Sequence, residues 1–141
     1  MISREERSFA MGQPVGRLGT VDSAQSPHVV PVCFALAGDT IYIPVDEKPK
    51  AGDPRRLKRL RNIDQNGRVC LMVDRYVEDW SQLGWVMFRG DALIEDEGRN
   101  RTVGIKLLRA RYPQYRNMAL EERPLIVIKV DLVTSWGVLS G

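Results

Sequence analysis

Apolar residues in this sequence recur mostly at every second position, the spacing that predicts β-strands rather than helices. Six segments show this spacing: 15–21, 28–36, 41–45, 68–74, 83–94 and 125–133. The segment 28–36 is apolar at nearly every position, so a strand there would carry apolar side chains on both faces. Because such a strand needs a cover on each side, we expect the core to cover one face and a partner molecule the other.

Helical spacing fits three stretches: 2–11, 53–65 and 97–112. In the second stretch, Asp53 is expected as the N-cap and Pro54 as the first helical residue. Its apolar positions, Leu57, Leu60 and Ile63, form a narrow stripe that would pack on a sheet. The element order is therefore helix, three strands, helix, two strands, helix and strand. This order predicts a mainly β, α+β fold: a six-stranded antiparallel barrel with short helices, forming a single domain over 1–141.

Two prolines fall inside the predicted strands, Pro31 in the second and Pro44 in the third. Proline has no N–H to donate, so each one marks a sheet edge or a place where the hydrogen-bond ladder opens. Backbone groups beside these prolines are therefore expected to be available to a bound ligand.

Composition excludes several classes of protein. With 43% hydrophobic and 28% charged residues, the 141-residue chain is typical of globular domains, and no apolar run reaches the roughly 20 residues that span a bilayer. The N-terminal segment carries charged side chains from Arg4 onward and has no apolar run, so we expect a cytoplasmic protein without a signal peptide. Cys33 and Cys70 are expected as reduced thiols. His28 is the single histidine, which argues against a zinc site, and we expect a structural role for it.

Positive charge is concentrated in one segment although the net charge is only +3. The residues concerned are Lys48, Lys50, Arg55, Arg56, Lys58, Arg59 and Arg61. Three interpretations fit such a segment: a solvated helix face, a site for the phosphate of a cofactor, or a patch for nucleic acid. No aromatic residue interleaves with these charges, which argues against nucleic acid as the partner.

Several motifs, taken in order, resemble a known family. They are the runs 41–50, 56–63, 69–74 and 85–92, followed by the closing 133–137. This order resembles the pyridoxamine 5′-phosphate oxidase-like split β-barrel superfamily, and within it the branch of coenzyme F420-dependent enzymes. The resemblance extends from about Gly16 to Gly137. It implies a fold of the flavin-reductase and FMN-binding type, and a homodimer with cofactor sites at the subunit interface.

The resemblance also implies site residues. Lys48 and Lys50 follow the third strand, where the oxidases hold the FMN phosphate. Basic residues on the next helix, in the F420 branch, also reach phosphate, and here these would be Arg56, Lys58 and Arg59. The wall for the flat ring would come from the second strand and from two tryptophans: Val30, Pro31, Val32, Trp80 and Trp85. Trp80 and Trp85 suit core or dimer packing equally well.

The function implied is an F420H2-dependent reductase that transfers a hydride from the deazaflavin to a small electrophilic organic substrate. Two alternatives remain open: an FMN-binding oxidoreductase of the same fold, or a protein that carries F420 without turnover. The cofactor performs the hard chemistry in such proteins, so no catalytic residue is assigned. A substrate proton would come from Tyr42, Tyr76 or solvent, and the sequence does not choose among them.

Three further side chains are assigned roles other than cofactor binding. Asp46 follows the third strand and would either approach the ring edge or solvate the loop, and we favour the loop. Arg89 lies among apolar residues of a strand, and we favour a structural ion pair with a carboxylate such as Asp74. Trp136, which follows the last predicted strand, is assigned to packing.

Overall fold

The computed structural model describes residues 1–46, 53 and 56–140. Within these residues lie three helices and seven strands, connected by turns and short 3-10 segments. The helices are α1 (Arg4–Met11), α2 (Lys58–Gln65) and α3 (Arg99–Arg111). The strands are β1 (Gly16–Val21), β2 (Pro27–Val32), β3 (Ala35–Ala37), β4 (Thr40–Pro44), β5 (Arg68–Arg75), β6 (Gly84–Glu95) and β7 (Leu125–Gly137). The predicted mainly β, α+β class is confirmed.

All seven strands belong to one antiparallel sheet in the order β2-β1-β5-β6-β7-β4-β3. Only two residues separate β2 from β3 along the chain, yet these strands occupy opposite edges of the sheet. The sheet must therefore curl until its two edges approach each other. Hydrogen bonds between those two edges are not among the pairings of the described strands, so closure of the sheet into a barrel stays a prediction.

The single strand predicted over 28–36 is in fact two strands, which raises the number from six to seven. The break falls at Cys33 and Phe34, where side chains of α3 and the residue after it replace the ladder. The Tyr112 hydroxyl accepts the Phe34 N–H at 3.1 Å and lies 3.0 Å from the Phe34 carbonyl oxygen. The Arg111 guanidinium donates to the same carbonyl at 2.5 Å. With its backbone groups bonded to side chains, Phe34 cannot continue the β2 ladder.

Two apolar clusters lie on opposite faces of this part of the sheet. The main core, inside the curl, includes the fully buried Leu18, Phe34, Ile41, Leu71 and Phe88. The second cluster, beneath α3, includes Ala35, Tyr42, Leu108, Tyr112 and Tyr115. Helix α3 of the same chain therefore covers the second face of residues 33–37. The expected need for a second cover remains only around Val29, whose side chain is 65% exposed.

Helix α2 begins later than predicted. Its N-cap is Leu57, which makes no side-chain capping bond, so the prediction that Asp53 caps this helix is wrong. The Asp53 carbonyl instead accepts the Arg56 N–H at 3.1 Å, which closes a short turn ahead of the helix. Pro54, the predicted first helical residue, lies outside the described residues.

Two glycines lie where backbone or ring atoms approach closely. Gly90 lies beside the irregularity in the pairing of β6 with β7, where an added Cβ would lie 2.0 Å from the Lys129 carbonyl oxygen. Gly104 lies in the middle of α3, where an added Cβ would lie 2.6 Å from Tyr42 Cδ1 and 2.7 Å from Leu125 Cδ2. The glycine in α3 therefore allows this helix to pack closely on β4 and β7.

None of the described helices is both long and apolar enough to cross a bilayer. Cys33 and Cys70 are both free thiols. In the part of the chain that the structure describes, no group of three histidine, cysteine, aspartate or glutamate side chains is placed to hold a metal ion.

Candidate cofactor site

A cavity of about 140 Å³ lies where β2, β4 and α2 meet, and we call it the Arg59 cavity. Its lining residues are Val15, Pro31, Val32, Cys33, Pro44, Asp46 and Arg59. Most of its lining residues are apolar, and Arg59 and Asp46 are the charged residues among them. Few polar groups on an apolar wall are typical of sites that bind organic ligands and fix their orientation.

The two strand prolines form opposite parts of the cavity wall. Pro31 lies on the edge strand β2, opposite Arg17 of β1. Pro44 is the last residue of β4, opposite Leu125 of β7. Both positions agree with the sequence prediction, because each proline lies at a sheet edge or a strand end where a missing N–H costs little.

Arg59 reaches the cavity from α2 and is buried, with 6% of its surface exposed. The helix is fixed on one side by Leu60 and Ile63, which are buried in the main core as the apolar stripe predicted. A guanidinium in a cavity wall can donate hydrogen bonds to an anionic or carbonyl-rich ligand.

A second face of α2 is bonded to the hairpin between β1 and β2 through polar side chains one turn apart. The three pairs are Lys58 Nζ with Asp22 Oδ2 at 3.3 Å, Asn62 Nδ2 with Thr20 Oγ1 at 3.0 Å, and the Ser23 N–H with Gln65 Oε1 at 2.9 Å. The pKa of Asp22 is lowered chiefly by the Ser26 backbone N–H and further by Lys58, so Asp22 is ionised at neutral pH. These contacts fix the rotation of α2 and so aim Arg59 into the cavity.

Asp46, on the other side of the cavity, is held by a tyrosine from a distant part of the sequence. The hydroxyl of Tyr115 donates to Asp46 Oδ2 at 2.5 Å. Tyr115 is 1% exposed, and burial, followed by the bond to Asp46, raises the pKa of its hydroxyl. The hydroxyl therefore keeps its proton and acts as a fixed donor to the carboxylate.

The segment that carries Tyr115 is fixed by arginines of α3. Arg109 donates to the Tyr115 carbonyl at 3.1 Å and the Met118 carbonyl at 2.7 Å, and it pairs with the Glu121 carboxylate. Arg101 donates to the Arg123 carbonyl at 2.9 Å. Irregular backbone needs such partners when it is packed against a core. Helix α3 thus positions Asp46 through Tyr115 without itself lining the cavity.

The family model for pyridoxamine 5′-phosphate oxidase matches residues 2–137, almost the whole chain. The chain belongs to the pyridoxamine 5′-phosphate oxidase family. The resemblance inferred from the motif order is therefore confirmed at the level of the superfamily, whose members bind flavin or related cofactors.

One curated relative is a 5a,11a-dehydrotetracycline/5a,11a-dehydrooxytetracycline reductase of Streptomyces rimosus. It is 32% identical over 73 residues, which cover 52% of this chain and 49% of the relative. The matched region thus spans about half the length of that protein.

Solved structures of low sequence identity share the fold. A conserved hypothetical protein of Mycobacterium tuberculosis aligns with a TM-score of 0.76 at 19% identity, covering 97% of this chain and 86% of the other. HutZ, a heme storage protein of Vibrio cholerae, aligns with a TM-score of 0.72 at 14% identity, covering 96% and 94%. At such identities the likeness shows the fold alone.

The residues of the Arg59 cavity fit one edge of the family's flavin-type cofactor. Arg59 can donate to ring carbonyls or phosphate, and Val32, Pro31 and Pro44 supply a flat apolar wall. At about 140 Å³, however, the cavity is smaller than the roughly 300 Å³ at the low end for pockets that enclose small ligands. A three-ring cofactor would therefore be only partly enclosed by the described residues of one chain.

The structure brings three of the predicted site residues together in this cavity: Pro31, Val32 and Arg59. Lys48 and Lys50 lie outside the described residues. Arg56 is exposed on the turn before α2 and does not line the cavity.

Other predicted site residues lie elsewhere. Val30 points toward the main core, and Lys58 pairs with Asp22. Trp80 is 71% exposed, and its indole N–H lies 3.4 Å from the Tyr76 hydroxyl oxygen. Trp85 lies half-buried on β6 opposite Trp136.

The proton donors considered from the sequence also lie outside the cavity. Tyr42 is buried beneath α3, and Tyr76 is 63% exposed on the loop after β5. Asp74, named as one candidate partner of Arg89, pairs instead with Arg17 at 3.6 Å, and Arg89 lies opposite Cys70. Trp136, assigned to packing, is 56% exposed in the single chain.

Sequence reasoning gave too little weight to Asp46, and it missed Tyr115 altogether. Asp46 comes just after the strand that ends at Pro44, which was the available signal for a position at the cavity edge. Tyr115 lies 69 residues further along the chain, in a segment without periodicity, so no sequence pattern connects it with Asp46.

Proposed function

We propose that this protein is an F420H2-dependent reductase that transfers a hydride to a small electrophilic organic substrate. The proposal is supported by family membership and by a relative named as a reductase. The observation that carries it is the Arg59 cavity, where a buried cation adjoins an apolar wall at the end of the basic segment 48–61. A planar ring with an anionic tail needs this combination of wall and charge.

In this proposal the cofactor tail is bound by basic side chains and the ring by the strand wall. Arg59 contacts the ring edge or the phosphate, while Lys48, Lys50 and Arg56 contact the phosphate and the tail beyond it. Pro31 and Val32 support the ring. When bound, the reduced deazaflavin supplies the hydride, and the protein orients the substrate and excludes water.

Two alternatives predict different ligands or different turnover. An FMN-binding oxidoreductase of this family would need only a compact phosphate site, whereas F420 carries a long polyglutamate tail that suits a broad basic groove. The spread of positive charge from Lys48 to Arg61 favours F420. A carrier protein would bind F420H2 without oxidising it in the presence of any substrate.

We further propose that the protein acts as a homodimer whose second copy completes the cofactor site. Side chains on the outer face of the sheet are apolar and exposed in the single chain: Val29 at 65%, Leu132 at 48% and Trp136 at 56%. Exposed apolar side chains spread over one sheet face are typical of a subunit interface. A second copy on this face would also enlarge the small Arg59 cavity.

Direct binding measurements test the cofactor proposal. Purified protein is titrated with F420 and with FMN, following ligand fluorescence at moderate salt. We expect tight F420 binding that Arg59→Ala weakens about 10-fold or more, since it removes a charge-assisted contact. Arg99→Ala is the control, because Arg99 carries the same charge and lies exposed outside the basic segment. Preference for FMN would favour the first alternative, and binding of neither would contradict the proposal.

A further inference from the structure

The Arg59 cavity contains a carboxylate, which a site for phosphate alone would not need. Asp46 and Arg59 both line this space of about 140 Å³. A carboxylate repels phosphate, so the anionic tail of a ligand would avoid the part of the cavity beside Asp46. That part must instead meet a group that donates a hydrogen bond.

The geometry of Asp46 is fixed well enough to select such a donor. Tyr115 donates to Oδ2, and no other hydrogen bond to this carboxylate is made by the described residues. Tyr115 is held in turn by the edge-on ring of Tyr112, at a centroid distance of 5.5 Å, and by the bond from Arg109 to its carbonyl. Among the described residues, Oδ2 of Asp46 is therefore bonded to Tyr115 and Oδ1 accepts no hydrogen bond, so Oδ1 is the oxygen to which a ligand donor would bond.

The two charged groups have complementary hydrogen-bonding capacities. A carboxylate only accepts hydrogen bonds and a guanidinium only donates them. A ligand edge that alternates carbonyl, N–H and carbonyl would satisfy both, with Arg59 on a carbonyl and Asp46 on the N–H. The pyrimidinedione ring shared by flavins and deazaflavins has this imide edge.

We propose that Asp46 recognises the ring edge of the cofactor by accepting its imide N–H, with Tyr115 as the residue that positions the carboxylate. This inference rests on the proposed function, because it assumes a flavin-type ring in the Arg59 cavity. It assigns a ligand contact to a residue for which the sequence favoured a solvated loop position. It also accounts for a buried tyrosine that would otherwise have no role in the site.

Cofactor analogues methylated at the imide nitrogen test the proposal by removing only the N–H. Wild-type protein is titrated with F420 and FMN and with the 3-methyl derivative of each. Whichever of F420 and FMN the wild type binds is then titrated, together with its 3-methyl derivative, into the variants Asp46→Asn and Tyr115→Phe and the control Glu122→Gln. Glu122→Gln removes one exposed carboxylate from the neighbouring segment without altering the cavity lining.

We expect the wild type and Glu122→Gln to prefer the parent cofactor by about 10-fold or more, the effect of a charge-assisted hydrogen bond. Asp46→Asn should lose most of this preference because it binds the parent cofactor more weakly. Its affinity for the methylated compound should stay within about 2-fold of the wild-type value. Tyr115→Phe should reduce the preference by about 3-fold, since the carboxylate would be less well oriented.

Four outcomes would overturn the inference. Equal wild-type affinity for the parent and its derivative would exclude an imide contact. If Asp46→Asn and Tyr115→Phe kept the wild-type preference for the parent cofactor, the imide N–H would be bound by another residue. If Asp46→Asn lost equal affinity for the parent and the methylated compound, Asp46 would have a structural role. Failure of the wild type to bind either parent would overturn the proposed function as well, so the two failures are distinguishable.

Discussion

Helices α2 and α3 contribute to the Arg59 cavity in different ways. Helix α2 places Arg59 directly in the cavity wall. Its polar side chains contact β1 and the β1–β2 turn through two bonds between side chains and one bond to the exposed Ser23 N–H. Helix α3 lines none of the cavity and instead bonds backbone carbonyls at the β2–β3 break and in the segment after the helix. The comparison suggests that α2 determines ligand contacts, whereas α3 determines whether the cavity forms.

The largest effect is expected at Arg111, because this side chain joins three parts of the chain. Its guanidinium donates to the carbonyls of Phe34, Met11 and Gln13 and stacks on the Phe34 ring at 4.5 Å. Arg111→Met keeps an unbranched side chain but removes the guanidinium that donates to these carbonyls. We expect a loss of roughly 2 to 3 kcal/mol in the free energy of unfolding, measured by urea denaturation.

The same variant should weaken cofactor binding, since the break at Cys33 forms part of the cavity wall. Arg116→Met is the control, because Arg116 lies exposed in the segment after α3. A stability loss in Arg111→Met no larger than that of Arg116→Met would contradict the assignment of α3 as the element that forms the cavity.

A smaller effect is expected at Gly104, where α3 approaches the sheet. A Cβ at this position would lie 2.6 Å from the Tyr42 ring, so either the helix or the ring must move. Overpacking of this kind costs about 1–3 kcal/mol, and the better helix propensity of alanine offsets up to about 1 kcal/mol. We therefore expect Gly104→Ala to lower stability by about 1–2 kcal/mol in thermal or urea unfolding.

The control for Gly104→Ala is Lys106→Ala, a substitution at an exposed position of the same helix. It should be nearly neutral. If Gly104→Ala instead stabilised the protein, the close packing of α3 on β4 would not be a constraint, and the contrast between the two helices would weaken.

The sequence predicted the strands and helices well where periodicity was strong. The apolar stripe Leu60 and Ile63 lies in the core as expected. The strand break at Phe34 was not predictable from the local pattern, because it depends on Tyr112, which lies 78 residues away in sequence. Asp53 has the composition of a helix cap, but the chain forms a separate turn there before α2 begins.

The candidate site was also predicted only in part, because a local sequence pattern does not show which residues meet in the fold. Arg59, Pro31 and Val32 were identified from a family resemblance and from local composition, and they lie together. Lys58, on the same helix, was given the same role, but a rotation of about 100° per residue turns adjacent helical side chains to different faces. Charge counts along a sequence do not distinguish these two faces, whereas the contacts of α2 with the hairpin do.

The smallest effect is expected at Lys58. Comparing Lys58→Ala with Arg59→Ala tests whether the two faces of α2 have different roles. Its ion pair with Asp22 is partly exposed, so Lys58→Ala should cost only about 0.2–1 kcal/mol, and the cost should fall further in high salt. Cofactor affinity should stay within about 2-fold of wild type, against the larger loss in Arg59→Ala. A loss of affinity in Lys58→Ala equal to that in Arg59→Ala would show that Lys58 also reaches the cofactor, and α2 would then present both faces to the ligand.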